Sequence, residues 1–319
     1  MPRLRFDPWE PDYGTSDLLD AEDAPAPTVD ASVEASEWEA LTPASSERRE
    51  VCFIDGVRRV EMHLVAEDDE RTAPAIFGSL AVAAVRCGER SEIGEPRIAR
   101  RLIIGGGIAG SAVSVNVGSA RLDYEPLSVA TSGPRDAVNR LQQEMLTTEA
   151  ELARYMAGEP NLVVMRDGPL TYYHQVGDEP VLGVVKRHLT TYLDASRMKT
   201  VYGMTSGQRT PIFAFGNQAL ERYAWYVRIA QPQPLEQALV GVVRCEVRCE
   251  MGLDRAVALA DMTASTLPRY ASDSSRDPRA PQNLYPVGAL ENTLRHRLGH
   301  GALVRRALTS HLHATGGLN

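Results

Sequence analysis

The chain alternates apolar and polar residues with a period of two over much of its first half. Val51 to Ile54 form an apolar run that ends at Asp55-Gly56, and an alternating segment follows. Period-two patterns rich in β-branched residues predict strands, and short glycine-containing links between them predict an antiparallel meander. Runs of this kind cover 51–54, 57–65, 75–87, 100–104 and 111–118.

The second half mixes helical and strand patterns. Leu141, Met145, Leu152 and Met156 recur at helical spacing and predict a helix over 134–157. Further helices are expected over 253–266 and 286–299. A polar loop with some helix is expected over 190–210, and a polar loop over 268–283. Apolar strands are expected from Leu162 and over 180–188, 223–229 and 239–250. Together these patterns predict an α/β protein with a mixed sheet flanked by helices.

Two of the apolar runs end in the same dipeptide. Asp55-Gly56 closes the first run, and Asp167-Gly168 closes the run that begins at Leu162. Asp-Gly between apolar runs is a strong hairpin signal, because type I′ turns need positive φ at both central residues. The same pattern also brings a carboxylate to the end of a buried strand, where two such groups side by side hold divalent cations. The residues alone leave both interpretations open.

Two helical acids flank apolar stripes. At 100° per residue, Glu149 lies about 40° from Met145, and Glu291 lies about 60° from Leu294 on the last predicted helix. Both are expected to face the protein, although a boundary glutamate that reaches out to solvent fits the same spacing. With Asp55 and Asp167 they form four acids on separate elements, the arrangement that a pair of oxygen-ligated cations needs.

Composition and charge restrict the class of protein. Hydrophobic residues make up 43% and charged residues 24% of the 319, typical of a water-soluble globular protein, and we expect a cytoplasmic location. Residues 1–50 contain 13 acids and 4 arginines, which leaves 29 acids and 30 bases in the rest. We therefore expect a flexible acidic arm over 1–49 and one folded domain over 50–319.

A glycine-rich segment suggests a competing function. Gly105 to Gly110 matches G-x-G-x-x-G after an apolar strand, with Asp123 at the distance expected of a ribose-binding acid. That motif requires a helix to begin at the glycines, so that its N-terminus meets the pyrophosphate. The alternation of Val113, Val115 and Val117 predicts a strand instead. Binding of FAD or NAD by an oxidoreductase therefore remains an alternative only.

Several of these segments resemble the NurA nucleases. The matching pieces fit in order and spacing over 51–300, and each is short by itself. They are Phe53-Ile-Asp-Gly-Val-Arg-Arg-Val-Glu61, Val163-Val-Met-Arg-Asp-Gly-Pro-Leu170, Gly183-Val-Val-Lys186, Trp225-Tyr-Val-Arg228 and Leu284-Tyr-Pro-Val-Gly-Ala-Leu290.

The resemblance implies a ribonuclease-H-like, PIWI-related fold and a DNA nuclease dependent on manganese or magnesium, with two ions expected. It implies 5′ to 3′ exonuclease and single-strand endonuclease activity in the processing of broken DNA ends. A homodimer and a hexameric HerA-type ATPase partner are implied as well.

The resemblance also implies roles for single residues. Asp55 and Asp167 match the metal-binding aspartates of the family, and Glu149 matches its helical glutamate. The family usually closes the site with a histidine near the Tyr-Pro motif. Here that stretch offers Glu291 and Asn292, with His296 further on, and the helical facing favours Glu291.

Other residues are expected to meet DNA. Lys186 ends a strand beside the expected site, where a compact charge suits contact with the scissile phosphate. Tyr172 and Tyr173 are candidates to stack on unpaired bases, although aromatic residues in strands are more often packed inside. The remaining candidates for DNA contact are basic: Arg58, Arg187, Arg228 and Arg295. A scaffold without catalysis that activates an ATPase through the acidic arm is the second alternative.

Overall fold

The computed structural model describes residues 27–43, 49–68, 72–133, 135–170, 172–174, 179–217, 221–273, 275, 277 and 279–315. The strands within them are β1 (Thr28–Asp30), β2 (Glu50–Glu67), β3 (Thr72–Cys87), β4 (Ser91–Ile93), β5 (Arg97–Ile104), β6 (Val113–Val117), β7 (Ala120–Ser128), β8 (Leu162–Asp167), β9 (Val181–Val185), β10 (Phe213–Gly216), β11 (Arg222–Arg228) and β12 (Val242–Arg248). The α-helices are α1 (Asp136–Ala157), α2 (Ala195–Gly203), α3 (Leu253–Thr266), α4 (Tyr285–Arg297) and α5 (Gly301–Ala314).

The strands of the described residues form one mixed sheet. Its hydrogen-bonded order is β1-β10-β11-β12-β9-β8-β2-β3-β5-β7-β6, with β4 beside β3. The pairs β2–β8, β8–β9 and β5–β7 are parallel, whereas β12 pairs with β9 and β11 in the antiparallel sense. The expectation of an α/β protein with a large mixed sheet and flanking helices is confirmed. No helix of the described residues has the length and apolarity that crossing a bilayer requires.

The first Asp-Gly dipeptide is not a turn. Strand β2 runs without interruption from Glu50 to Glu67, so the two strands expected on either side of Asp55-Gly56 are one. The hairpin interpretation is therefore wrong at this position. The second dipeptide does end a strand, because β8 stops at Asp167 and Gly168 has a φ of +86°.

One compact unit contains the described residues up to Ile54, together with those of Val85–Glu92 and Ala150–Ala289. Its parallel strands β2, β8 and β9 are buried apolar runs, as expected where both faces of a sheet are covered. Helix α3 packs on β11, where the indole Nε1 of Trp225 donates a 2.9 Å hydrogen bond to Thr263 Oγ1. The bounds of α3 agree with the prediction at both ends.

The other unit comprises Asp55–Ala84, Ile93–Glu149 and Leu290–Asn319. Its core contains Phe77, Leu102 and Tyr124 from the strands, together with Val304 and Leu308 from α5. The sequence predicts no helix over that last stretch, because arginines and histidines surround two apolar positions spaced four apart. Those two positions are enough to dock the helix on the sheet.

The glycine-rich segment is a loop between β5 and β6. The N–H groups of Gly105, Gly106 and Gly107 donate to the carbonyl oxygens of Pro74, Thr131 and Val129 at 2.8–2.9 Å. The strand prediction for the following residues is confirmed, since β6 covers Val113–Val117. Because no helix begins here and these donors are already used, the loop does not form a dinucleotide cradle.

Part of the expected N-terminal arm has a defined position. Strand β1 pairs with β10 in the antiparallel sense, and the following segment places Glu34 against the buried guanidinium of Arg209. Arg209 donates to both oxygens of Glu34 at 2.8 and 2.9 Å, and its Nε donates to Asp261 at 2.6 Å. Residues 27–43 therefore belong to the folded body, and 1–26 and 44–48 lie outside the described residues.

Replacement of Glu34 is expected to destabilise the protein. Glu34→Ala removes one of the two acids paired with a buried guanidinium, which costs roughly 2–3 kcal/mol because Asp261 alone then balances the charge of Arg209. The free energy of unfolding in urea measures the loss. Glu37→Ala, an exposed acid of the same segment, is the control and should change stability by less than about 0.5 kcal/mol. Equal stability of both variants would show that the segment is not anchored through Arg209.

Candidate metal centre

The register of two parallel strands brings the two aspartates together. Ile54 of β2 is paired with Arg166 of β8, so Asp55 and Asp167 follow one step further along the same pair. Neighbouring residues of a parallel pair point to the same face of a sheet. The Asp55 side chain is buried, and Asp167 is only slightly more exposed.

The third acid comes from helix α4. Val287, Leu290 and Leu294 form its buried stripe, and Glu291 at the edge of that stripe is buried as well. One ligand oxygen from each of Asp55, Asp167 and Glu291 lies within 4.8 Å of the others. Asn292 and His296 are exposed, so the facing argument for Glu291 agrees with the structure.

The end of this helix is held by arginines. Arg59 donates to the carbonyl of Gly299 at 2.8 Å, and Arg100 donates to that of Leu298 at 3.2 Å. The buried carboxylate of Glu61 accepts from Arg59 at 2.8 Å. Cations at the C-terminal end of a helix satisfy carbonyls that have no partner within the helix. These contacts fix the helix that carries the third acid.

Glu149 faces inward, as its position on the helix predicts. It is buried on α1, and a Cβ placed on Gly56 would lie 2.7 Å from its Oε1. Glu149 therefore lies against the residue that follows Asp55, and a side chain at that position would displace its carboxylate. Glu149 is not one of the three acids whose ligand atoms converge. Its role as a metal ligand stays a prediction.

Lys186 forms an ion pair with one acid of the cluster. It follows strand β9, its side chain is 3% exposed, and its Nζ lies 2.7 Å from Asp167 Oδ2. The same ammonium donates to Asn283 Oδ1 at 2.8 Å. A buried ammonium needs such partners, because its removal from water is costly unless it is paired and hydrogen-bonded.

The turn after Asp167 is held by a residue that the sequence analysis missed. Glu246, fully buried in β12, accepts from the backbone N–H of Leu170 at 2.8 Å and pairs with Arg222 and Arg244 at 3.0 and 3.2 Å. Burial raises the pKa of Glu246, but the two arginines outweigh that effect and hold its pKa below the ordinary value. The sequence does contain a signal for this role, because Glu246 is the one acid within the largely apolar run Val242–Val247.

Two of the predicted DNA contacts are wrong. The ring of Tyr173 is fully buried and its hydroxyl donates to Glu179 at 2.8 Å, so it is not placed to stack on bases. Arg228 is also buried. Its guanidinium donates to backbone carbonyls, among them Val240 at 2.7 Å and Tyr202 at 3.1 Å near the end of α2, and burial lowers its pKa to about 10.

The other predicted DNA contacts differ in exposure. Tyr172 is 43% exposed and has a φ of +60°, while the side chain of Arg295 is 66% exposed and lies 3.6 Å from Glu291. Arg58 is half-buried, donates to Gln142 Oε1 at 2.5 Å, and has a pKa lowered by burial. Arg187 is half-buried too. For these four residues DNA contact stays a prediction.

The donor set fits a hard divalent cation. Carboxylate oxygens are the ligands that magnesium, manganese and calcium prefer, whereas zinc sites use histidine and cysteine. Ligands on opposite sides of a magnesium ion are about 4.2 Å apart, and those of calcium about 5 Å apart. A spread of 4.8 Å among Asp55, Asp167 and Glu291 is close to both values. The cluster could therefore hold a metal ion, and its geometry leaves the identity of that ion open.

Among known proteins, a distant likeness is found only at the level of solved structures. No family model matches the chain, and no curated protein matches it. Among solved structures, the chain is similar to the NurA nuclease from Sulfolobus solfataricus, with 12% identity and a TM-score of 0.46, over 87% of this chain and 88% of that one. So distant a superposition carries no functional argument.

The role of Glu246 predicts a specific dependence of stability on pH. Because its pKa is lowered in the folded protein from 4.5, its stabilising contribution is present above about pH 4.5 and is lost as pH falls through the folded value. Glu246→Gln should cost about 3 kcal/mol near pH 7 and clearly less near pH 3. Urea unfolding at both pH values measures this, with Glu250→Gln as the control. A difference that does not change with pH would contradict the assignment.

Proposed function

We propose that this protein is a divalent-metal-dependent deoxyribonuclease that hydrolyses phosphodiester bonds. The observation that carries the proposal is the convergence of Asp55, Asp167 and Glu291 within 4.8 Å, with Lys186 paired to one of them. Three carboxylates gathered in a buried cluster repel one another, so a structural role alone does not account for them. A site for a hard cation does, and Glu149 beside Gly56 is the proposed fourth acid.

Each residue has a defined task in this proposal. Asp55, Asp167 and Glu291 hold magnesium or manganese through oxygen atoms, and the burial of Asp55 and Glu291 excludes competing water. A divalent ion bound there supplies an activated water and neutralises charge on the phosphate. Lys186, held beside Asp167 by a hydrogen bond, is proposed to donate a further hydrogen bond to a phosphate oxygen. Arg295, exposed on α4, is proposed to contact the DNA backbone.

The choice of DNA as substrate is supported by the ordered motifs. The segments around Asp55, Asp167, Lys186 and Leu284-Tyr285-Pro286 resemble those of the NurA nucleases. On that resemblance we propose 5′ to 3′ exonuclease and single-strand endonuclease activity in the processing of DNA ends. A homodimer in the cytoplasm and a HerA-type hexameric ATPase as partner complete the proposal.

The aspartates provide the first test. Asp55→Asn and Asp167→Asn keep the size of the side chain but remove a charge from the cluster, so cleavage of labelled DNA should fall at least about 100-fold. Melting temperatures should remain close to that of the wild type. Asp123→Asn, at an exposed acid of β7, is the control and should cleave normally. Cleavage at the wild-type rate by either site variant would refute the proposal. A wild-type protein that does not cleave DNA with added metal would favour the scaffold without catalysis.

Metal removal provides the second test. EDTA should abolish cleavage and added Mn²⁺ or Mg²⁺ should restore it, because the carboxylate cluster has no other source of an activated water. Titration calorimetry with Mn²⁺ should give two equivalents per chain, as the resemblance implies. Asp55→Asn and Glu149→Gln should each reduce the binding. If the wild type binds one equivalent of Mn²⁺ and Glu149→Gln binds the same amount, the site holds one ion and Glu149 is not a ligand.

A further inference from the structure

The ammonium of Lys186 has a second partner that anchors it. Asn283, which precedes α4, is fully buried, and its Oδ1 accepts from Lys186 Nζ at 2.8 Å. With the 2.7 Å bond to Asp167, two of the three donors of the ammonium are used. One donor remains for a phosphate oxygen. A lysine side chain has four flexible carbons, so a fixed position needs this kind of anchoring.

The orientation of the Asn283 amide is set by an acid behind it. Its Nδ2 donates to Asp277 Oδ2 at 2.5 Å, while the other oxygen of Asp277 accepts from the backbone N–H of Arg279 at 2.8 Å. Burial raises the pKa of Asp277, but its bonds from Asn283 and Arg279 outweigh that effect and lower the pKa below its ordinary value. Asp277 is therefore an anion that only accepts hydrogen bonds.

The donors and acceptors of Lys186 and Asp277 permit one orientation of the Asn283 amide between them. An ammonium only donates and a carboxylate only accepts, so the amide must direct its NH₂ group to Asp277 and its oxygen to Lys186. The rotated amide would place two donors face to face at Lys186 and two acceptors face to face at Asp277. The anion at residue 277 thus determines where the oxygen that holds the lysine points.

We propose that Asp277 and Asn283 are positioning residues, which together hold the Lys186 ammonium at Asp167 in the orientation that phosphate hydrolysis requires. This inference rests on the proposed nuclease function. Asn283 bonds to Lys186 on one side and to Asp277 on the other, so the pair acts on the site through the lysine. The consequence is a chain of three hydrogen bonds that links Asp277, Asn283, Lys186 and Asp167, and each bond joins a donor to an acceptor.

Exchanging the two side chains tests the chain of polar groups. In Asn283→Asp, two carboxylates face each other where the 2.5 Å bond was. In Asp277→Asn, the new amide must donate toward residue 283, which turns the NH₂ group of Asn283 against Lys186. In the double variant Asp277→Asn/Asn283→Asp, the new amide donates to the new carboxylate, which again accepts from Lys186. The total charge of the double variant equals that of the wild type.

We expect the cleavage rate to fall in each single variant and to recover in the double variant. Under saturating Mn²⁺, the single-turnover cleavage rate should fall about tenfold or more in each single variant and return to within about threefold of the wild type in the double variant. Mn²⁺ affinity, measured by electron paramagnetic resonance, should be no weaker than in the wild type, because displacement of an ammonium from Asp167 removes a competing cation. Thermal unfolding confirms that each variant is folded. Asn116→Asp, at an exposed position of β6, is the control for an added charge.

Two results would overturn the inference. The first is a double variant whose cleavage rate is reduced by the product of the two single reductions. The second is a loss of cleavage rate that is accompanied by an equal loss of Mn²⁺ affinity, which a merely structural role would produce. A wild-type protein that fails to cleave DNA with Mn²⁺ would instead refute the proposed function, and the inference with it. Cleavage by the wild type without recovery in the double variant refutes the inference alone.

Discussion

The parallel pairing of β2 with β8 is the constraint on which the candidate site depends. Its register sets Ile54 beside Arg166 and carries Asp55 and Asp167 forward together. A shift of one residue would turn either aspartate to the opposite face, because side chains alternate along a strand. The apolar residues of both strands resist such a shift, since it would also expose them. The core of the sheet thus stabilises the geometry of the acids.

Much of this arrangement could be predicted from sequence. An acid at the end of an apolar run is easily recognised, which identified Asp55 and Asp167, and helical facing identified Glu149 and Glu291. The same reasoning misjudged Arg228 and Tyr173. A polar group in an apolar segment fits a contact with a ligand and a buried residue hydrogen-bonded within the core equally well. For Arg228 the deciding feature is the backbone carbonyls that its guanidinium reaches in the folded protein. The pattern of apolar and polar residues does not show which carbonyls those are.

Residues in irregular segments were harder to find. Asn283 and Asp277 lie in a stretch without periodicity, where neither spacing nor facing gives a direction. Their importance comes from a contact with Lys186, which is 97 residues away from Asn283 in the chain. Residues 27–43 were missed for a related reason. Their acidic composition resembles that of a disordered arm, yet Glu34 reaches a buried arginine far along the sequence.

The charges of the cluster explain why it favours the binding of cations and does not stabilise the fold. Three carboxylates within 4.8 Å repel one another, and the burial of Asp55 and Glu291 weakens the screening by water. Lys186 contributes one positive charge, and Arg295 is mostly exposed, so its interaction with Glu291 is screened. The three carboxylates and the ammonium of Lys186 sum to two formal negative charges. A single divalent cation balances them, and the carboxylate of Glu149, the proposed fourth acid, adds negative charge for a second cation. Substrate and metal would then bind cooperatively, because each supplies the charge that the other lacks.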